Sequence, residues 1–173
     1  MFAIEAIIYF SRRGKNFVSG KLENLTVGNT EAAAGKIASK RGSKLFELEP
    51  EAPYPNSYQE TIKQAEGERQ RGTPIPYSIE GLDLNDYDTI FLGYPNWWGG
   101  LPQIVVSFLQ DHDWQGKTIY PFCTHEGSGM GSSVEELRKL CPEATIKDSL
   151  PIRGSRVERS DTAIKHWLAT IKE

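Results

Sequence analysis

Three short segments of this 173-residue chain hold the side chains best placed for chemistry. The first, Tyr94-Pro95-Asn96-Trp97-Trp98-Gly99-Gly100, sets two adjacent tryptophans among glycines. Trp favours a site with one wet edge, and glycine lets backbone come close to whatever binds. A planar ligand stacking on one ring fits this composition, as does an aromatic cap between helix and sheet. The second segment, Thr26-Val27-Gly28-Asn29-Thr30-Glu31, runs into a helix-like stretch. Gly28 permits a tight turn, after which the amides of Gly28, Asn29 and Thr30 would converge where the helix dipole favours an anion. Ser11 and Thr30 add hydroxyls, and Arg12, Arg13 and Lys15 lie within reach of a phosphate. Plain N-capping by Asn29 or Thr30 would use the same residues. The third segment runs from Thr124-His125-Glu126-Gly127-Ser128-Gly129 to Ser133 and offers closely spaced donors with little bulk.

The elements that must position these segments alternate. Apolar runs predict strands over Ala3 to Phe10, Lys44 to Leu48, Tyr87 to Gly93 and Thr118 to Cys123, with a weaker fifth from Thr145 to Ile152. Helical spacing predicts helices over Thr30 to Lys40, Tyr58 to Arg71, Leu101 to Gln110, Ser133 to Leu140 and Arg159 to Ile171. The pattern is that of an α/β fold, a three-layer, doubly wound, five-stranded parallel sheet in a single domain over residues 1–173. The three segments follow the first, third and fourth strands, so they should line one crevice at the carboxyl edge of the sheet. One connection is long. Residues 12–26 read as a hairpin insertion, with Asn16-Phe17-Val18 and Lys21 to Leu25 joined by Ser19-Gly20. Such a loop serves function or is a tolerated surface insertion.

A net charge of −3 and a pI near 5.7 argue against nucleic acid as a partner. No apolar run approaches a membrane span, and no basic-then-apolar leader precedes the first strand, so a cytoplasmic protein is expected. Cys123 and Cys141 have neither metal-site spacing nor a disulfide framework, in keeping with a reducing compartment. Gly35-Lys36 lacks the earlier glycine of a Walker loop, and Ser132 stands where a dinucleotide fingerprint starting at Gly127 needs glycine. Ser128 lacks the glycines at two-residue spacing on either side that a nucleophile elbow needs. Tyr94-Pro95-Asn96 lacks the Asp of a phospho-acceptor domain. His112, His125 and His166 are too scattered for a metal site. Only His125 falls in the expected crevice, as a proton donor or a bystander.

Taken together, the loops resemble those of the flavodoxin-like FMN-binding proteins, and the resemblance covers essentially the whole chain. That family's first loop, Ser/Thr-x-Thr-Gly-Asn-Thr, binds the FMN phosphate. Here it looks split by the hairpin, with Ser11 on one side and Val27-Gly28-Asn29-Thr30 on the other, Val27 replacing the central Thr. Pro95-Asn96-Trp97-Trp98-Gly99 resembles the flavin-stacking segment, and Thr124 to Gly129 the third FMN loop. The resemblance implies strand order 2-1-3-4-5, FMN as cofactor, and binding by these loop residues together with Arg12. It also implies a carbonyl from the Gly99-Gly100 peptides facing flavin N5–H. Two functions follow: an NAD(P)H-dependent reductase of small acceptors such as quinones, or a pure electron carrier between redox partner proteins. Carriers commonly add a third-loop aromatic and are more acidic. Thr124-His125-Glu126 offers no ring, which moves the expectation toward the reductase. One of Trp97 and Trp98 should stack on the flavin while its neighbour packs inward. The apolar Phe17, Val18, Leu22 and Leu25 should fold the hairpin over the cofactor.

Overall fold

A computed structural model of the protein describes residues 4–171; Ala3, where the first strand was expected to start, lies outside that range. Strands β1 (Glu5–Tyr9), β2 (Gly14–Val18) and β3 (Lys21–Leu25) precede helix α1 (Asn29–Arg41) and strands β4 (Lys44–Glu47) and β5 (Glu49–Pro50). Then come α2 (Tyr58–Arg71), β6 (Tyr77–Ser78), β7 (Thr89–Pro95), α3 (Gln103–Gln110) and β8 (Thr118–His125). The chain closes with α4 (Ser133–Leu140), β9 (Thr145–Ile146), β10 (Leu150–Arg153) and α5 (Asp161–Ala169).

Side-chain alternation in the central strands explains the layers. Along β1, Ala6, Ile8 and the following Phe10 join one core, while Ile7 and Tyr9 join another. Ile90, Leu92 and Tyr94 of β7 repeat the first pattern, and Phe91 the second. Strands buried on both faces need helices on both faces. Residues of α3 and α4 (Ile104, Val105, Phe108, Leu137) complete the first core, and residues of α1 and α5 (Ala33, Ala34, Ile37, Ile164, Trp167) the second. The sheet is parallel in the order β4-β1-β7-β8-β10, which is 2-1-3-4-5 when its main strands are counted along the chain.

Three local features depart from the sequence reading or refine it. The fifth strand is broken: β9 pairs with Thr118 and Ile119 of β8, and β10 with Phe122 to His125. Between them the Asp148 carbonyl accepts the Trp167 indole N–H at 2.9 Å, leaving the ladder. A two-residue antiparallel pairing of β5 with β6 was not expected, being too short to show a period. The hairpin forms its own small sheet, with Phe17 opposite Leu22. Ser19 and Gly20 turn it with φ of 52° and 78°, the left-handed pair that a two-residue hairpin turn requires.

Gly93 lies opposite Phe122 in the β7–β8 register, and a Cβ there would sit 2.2 Å from the Phe122 ring. That ring is fully buried beside Trp167 and has little room to retreat. Gly93→Ala should therefore destabilise the fold by about 1–3 kcal/mol through overpacking. Chemical denaturation measures this, and an unchanged midpoint would show that the ring yields.

Candidate functional site

Helix α1 begins with Gly28 at its N-cap, and no side chain caps it, so the capping alternative for Asn29 and Thr30 does not hold. Ser11 Oγ instead accepts the Glu31 amide at 3.0 Å. The amides of Asn29 and Thr30 meet no acceptor among the described residues. Unmet N–H groups at a helix start draw an anion. A Cβ on Gly28 would fall 2.1 Å from Ser11 Oγ and 2.8 Å from the Arg12 carbonyl oxygen. Only glycine lets the helix start come so near the end of β1. Thr30 is buried, and its Oγ1 lies 2.7 Å from Thr124 Oγ1, which joins the first loop to the third.

Arg12 is held by carbonyls. Its Nη1 donates to Lys15 and its Nη2 to Pro55 and Asn56, at 2.8 and 3.1 Å. Its buried Nε has no partner, and no carboxylate pairs with it among the described residues. The positive charge at this end of the cleft is therefore uncompensated. Arg13 is committed elsewhere, to Glu31 at 3.1 Å and Glu47 at 3.4 Å.

The tryptophan segment is a tight turn in which Trp97 and Gly100 exchange backbone hydrogen bonds at 3.1 and 3.2 Å. Trp98 has φ of 54° and Gly99 80°. The left-handed backbone at Trp98 costs about 1–2 kcal/mol. The two rings part: Trp97 packs edge-on against Phe10 and Tyr54, with centroids 5.2 and 5.0 Å away. Trp98 is 50% exposed, and its indole N–H donates to the Ile62 carbonyl of α2 at 3.0 Å. The glycine-rich loop braces the turn. Ser132 N–H and Oγ both donate to the Gly99 carbonyl, at 2.8 and 3.0 Å, and Asn96 Nδ2 donates to Gly129 at 2.8 Å. The Gly99 carbonyl expected to face the flavin is thus already doubly bonded, and that of Gly100 accepts from Trp97. Both carbonyls take part in holding the turn. Behind the turn, Glu136 accepts from Arg69 at 2.5 Å, Ser132 Oγ at 2.8 Å and the Leu101 amide at 3.1 Å. Burial works to raise the Glu136 carboxyl, but these hydrogen bonds outweigh it and hold it below its ordinary range.

The loops enclose a cleft of about 160 Å³. Ser11, Arg12, Asn29 and Thr30 line it together with Pro95, Asn96, Trp97, Thr124, His125 and Glu126, all expected from sequence. Trp98 faces an adjoining cavity instead. Val27 is half-exposed, and Val27, Gly28, Gly99, Gly127, Ser128 and Gly129 do not line the cleft. The hairpin adds Asn16 and Phe17, and α2 adds Tyr58. Phe17 stacks on Tyr58 with centroids 5.9 Å apart. The apolar hairpin hinted at Phe17, but no local signal marks Tyr58, the first residue of α2.

His125 Nδ1 accepts the Gly127 amide at 2.9 Å, so the neutral ring carries its hydrogen on Nε2. Burial, helped by Arg153 and opposed by Glu126, lowers its pKa below the ordinary 6.5. Protonation would cost the Gly127 bond. A folded-state pKa below the unfolded one means that the unfolded chain binds more protons in between. The His125 contribution to stability is thus full above pH 6.5 and declines as pH falls through the folded midpoint. An NMR titration should place that midpoint below 6.5, leaving a neutral imidazole at neutral pH; a midpoint at or above 6.5 contradicts this.

Among the described residues no helix is long and apolar enough to cross a membrane, and no cluster of His, Cys, Asp and Glu could hold a metal ion. No curated protein sequence matches the chain. Solved structures do. A Bacteroides eggerthii protein described as a flavoprotein is 27% identical, with 98% of each chain covered and a TM-score of 0.76. A Lactobacillus acidophilus flavoprotein in complex with FMN is 20% identical over 91% of this chain and 98% of its own, with a TM-score of 0.68. Flavodoxin 2 from Bacillus cereus is 17% identical over 96% and 99%, with a TM-score of 0.51. The family model for flavodoxin matches residues 24–171, from the second strand of the hairpin to the end of the described chain. With that match across most of its length, the chain belongs to the flavodoxin family.

Proposed function

We propose that the protein binds FMN in this cleft and serves as a reductase, passing electrons from NAD(P)H to a small acceptor such as a quinone. The start of α1 carries the reading: unmet Asn29 and Thr30 amides stand beside Ser11, with the uncompensated charge of Arg12 on the same cleft. That donor set suits a terminal phosphate. Family membership and a structural relative crystallised with FMN support the same cofactor. When bound, FMN supplies the redox chemistry, and the protein supplies binding, orientation and electrostatics.

Each wall has a part in this reading. The amides of Asn29 and Thr30 hold the phosphate, Gly28 lets the helix start approach β1, and Ser11 fixes that start through Glu31. Trp97 offers ring surface where β7 ends, its orientation set by Phe10 and Tyr54. Asn16, Phe17 and Tyr58 cover the cleft and exclude water. Thr124, His125 and Glu126 form a polar side without an aromatic ring, which favours approach of a small reactant over a closed carrier site. Lys15 is exposed and stands open to a nucleotide phosphate.

Two measurements test this. Ser11→Ala and Thr30→Ala should each weaken FMN more than riboflavin, by about 1–2 kcal/mol for a lost charge-assisted contact. Equal losses for both ligands would remove these residues from the phosphate. In anaerobic stopped flow, NADH or NADPH should bleach the bound flavin directly. If neither does, while a separate reductase protein does so readily, the protein is a carrier.

A further inference from the structure

We propose that the cavity adjoining the cleft is the acceptor's seat and is shaped for an uncharged, planar quinone, an inference that rests on the FMN reading above. This second cavity, about 310 Å³, lies between α2 and the tryptophan turn and shares Arg12, Asn16, Tyr58, Asn96 and Trp97 with the cleft. A ligand in it would be next to whatever occupies the cleft. Its own walls are Thr61, Ile62, Ala65 and Trp98; the Thr61 hydroxyl is spent on the Pro55 and Ser57 carbonyls, and the other three are apolar or aromatic. Trp98 is the informative wall. It is half-exposed, yet its indole N–H is tied to the Ile62 carbonyl and its backbone is held in a left-handed conformation. Strain of this kind persists where the surroundings enforce it and gathers at functional sites. The result is a large ring pinned beside an open cavity, a ready stacking surface.

The polar edge selects the ligand. Tyr58 lines the cavity, and its hydroxyl has no partner among the described residues. Burial raises its pKa against the pull of Arg12, so it stays protonated and can donate. Arg12 also lines the cavity, but its Nε is buried out of reach and its Nη groups are held by carbonyls. No carboxylate lines the cavity. These walls, with the Tyr58 hydroxyl as donor, suit a carbonyl oxygen on the rim of a flat ring. They do not suit a pyridine nucleotide, whose diphosphate calls for several cations. The Arg12 Nη groups are bound to carbonyls, Arg13 is paired with Glu31 and Glu47, and no other basic residue lines the cavity.

Menadione is a suitable probe, measured by equilibrium dialysis against the FMN-loaded, oxidised protein so that no turnover is needed. Ala65→Phe fills the cavity. Ile62→Glu places a charge in it while keeping the carbonyl that holds Trp98. Each should lower menadione affinity by about tenfold or more, with FMN affinity changed by less than about twofold, since neither residue lines the cleft. If Ala65→Phe does not fold, Ile62→Glu carries the test. Undiminished menadione binding in a folded variant overturns the proposal, as does competition between menadione and FMN for the apoprotein. An equal fall in NADH affinity overturns it too, because the cavity would then not select the quinone. Should the protein bind no FMN, the preceding reading fails on its own. Dialysis against the apoprotein then still decides the cavity: binding that Ala65→Phe abolishes supports it, and absent binding overturns it.

Discussion

Where parallel strands end, backbone groups lose their ladder partners, and each must find another or remain exposed to water. Much of this site follows from how the end of β7 meets that constraint. The Gly99 carbonyl takes two hydrogen bonds from Ser132, and Glu136 gathers Ser132, Arg69 and the Leu101 amide. A single carboxylate on α4 thereby ties together α2, the tryptophan turn and the glycine-rich loop. Its crowding leaves no side-chain room at Gly100 or Gly131, where a Cβ would come within 2.2 Å of Glu136 or of the Gly99 oxygen. Those glycines, read from sequence as places for a ligand to approach, are places where the protein approaches itself.

The same bracing sets the two tryptophans apart. Trp97 settles against Phe10 and Tyr54, and Trp98 is left outside with a strained backbone and one hydrogen bond to α2. The cost at Trp98 is tolerable because both ends of the turn are fixed by several bonds. For the proposed FMN site this rigidity would matter, since a platform that shifts would change the surroundings of a ring stacked on it.

Much of the architecture was legible because it rests on local periodicity. Continuous apolar runs marked β1, β7 and β8, alternating burial followed from them, and Ser19-Gly20 announced the hairpin turn. What escaped was non-local or short. Asp148 leaves its ladder for an indole that lies on another helix, and no pattern near residue 148 reports that. Arg12 looked like a phosphate ligand from its neighbours in sequence, yet it spends two nitrogens on carbonyls of the hairpin and of residues 55 and 56. Tyr58 reaches the cleft only through the packing of α2 beside the hairpin. Motif reading located the loops, whereas the partners that orient them came from distant parts of the chain.

The hairpin's register has a further meaning. Gly14 pairs with Leu25, so the strand pairing brings the two ends of the interruption side by side. Ser11 and Gly28 can then meet as if they were near neighbours in sequence. The cradle is in effect a splice junction, its halves joined by a ladder rather than by an unbroken loop. A junction of this kind joins the two halves of the loop whatever lies at the far end of the hairpin. The loop can therefore lose its contiguity and keep its shape, while the inserted hairpin adds Asn16 and Phe17 to the cleft that the junction borders.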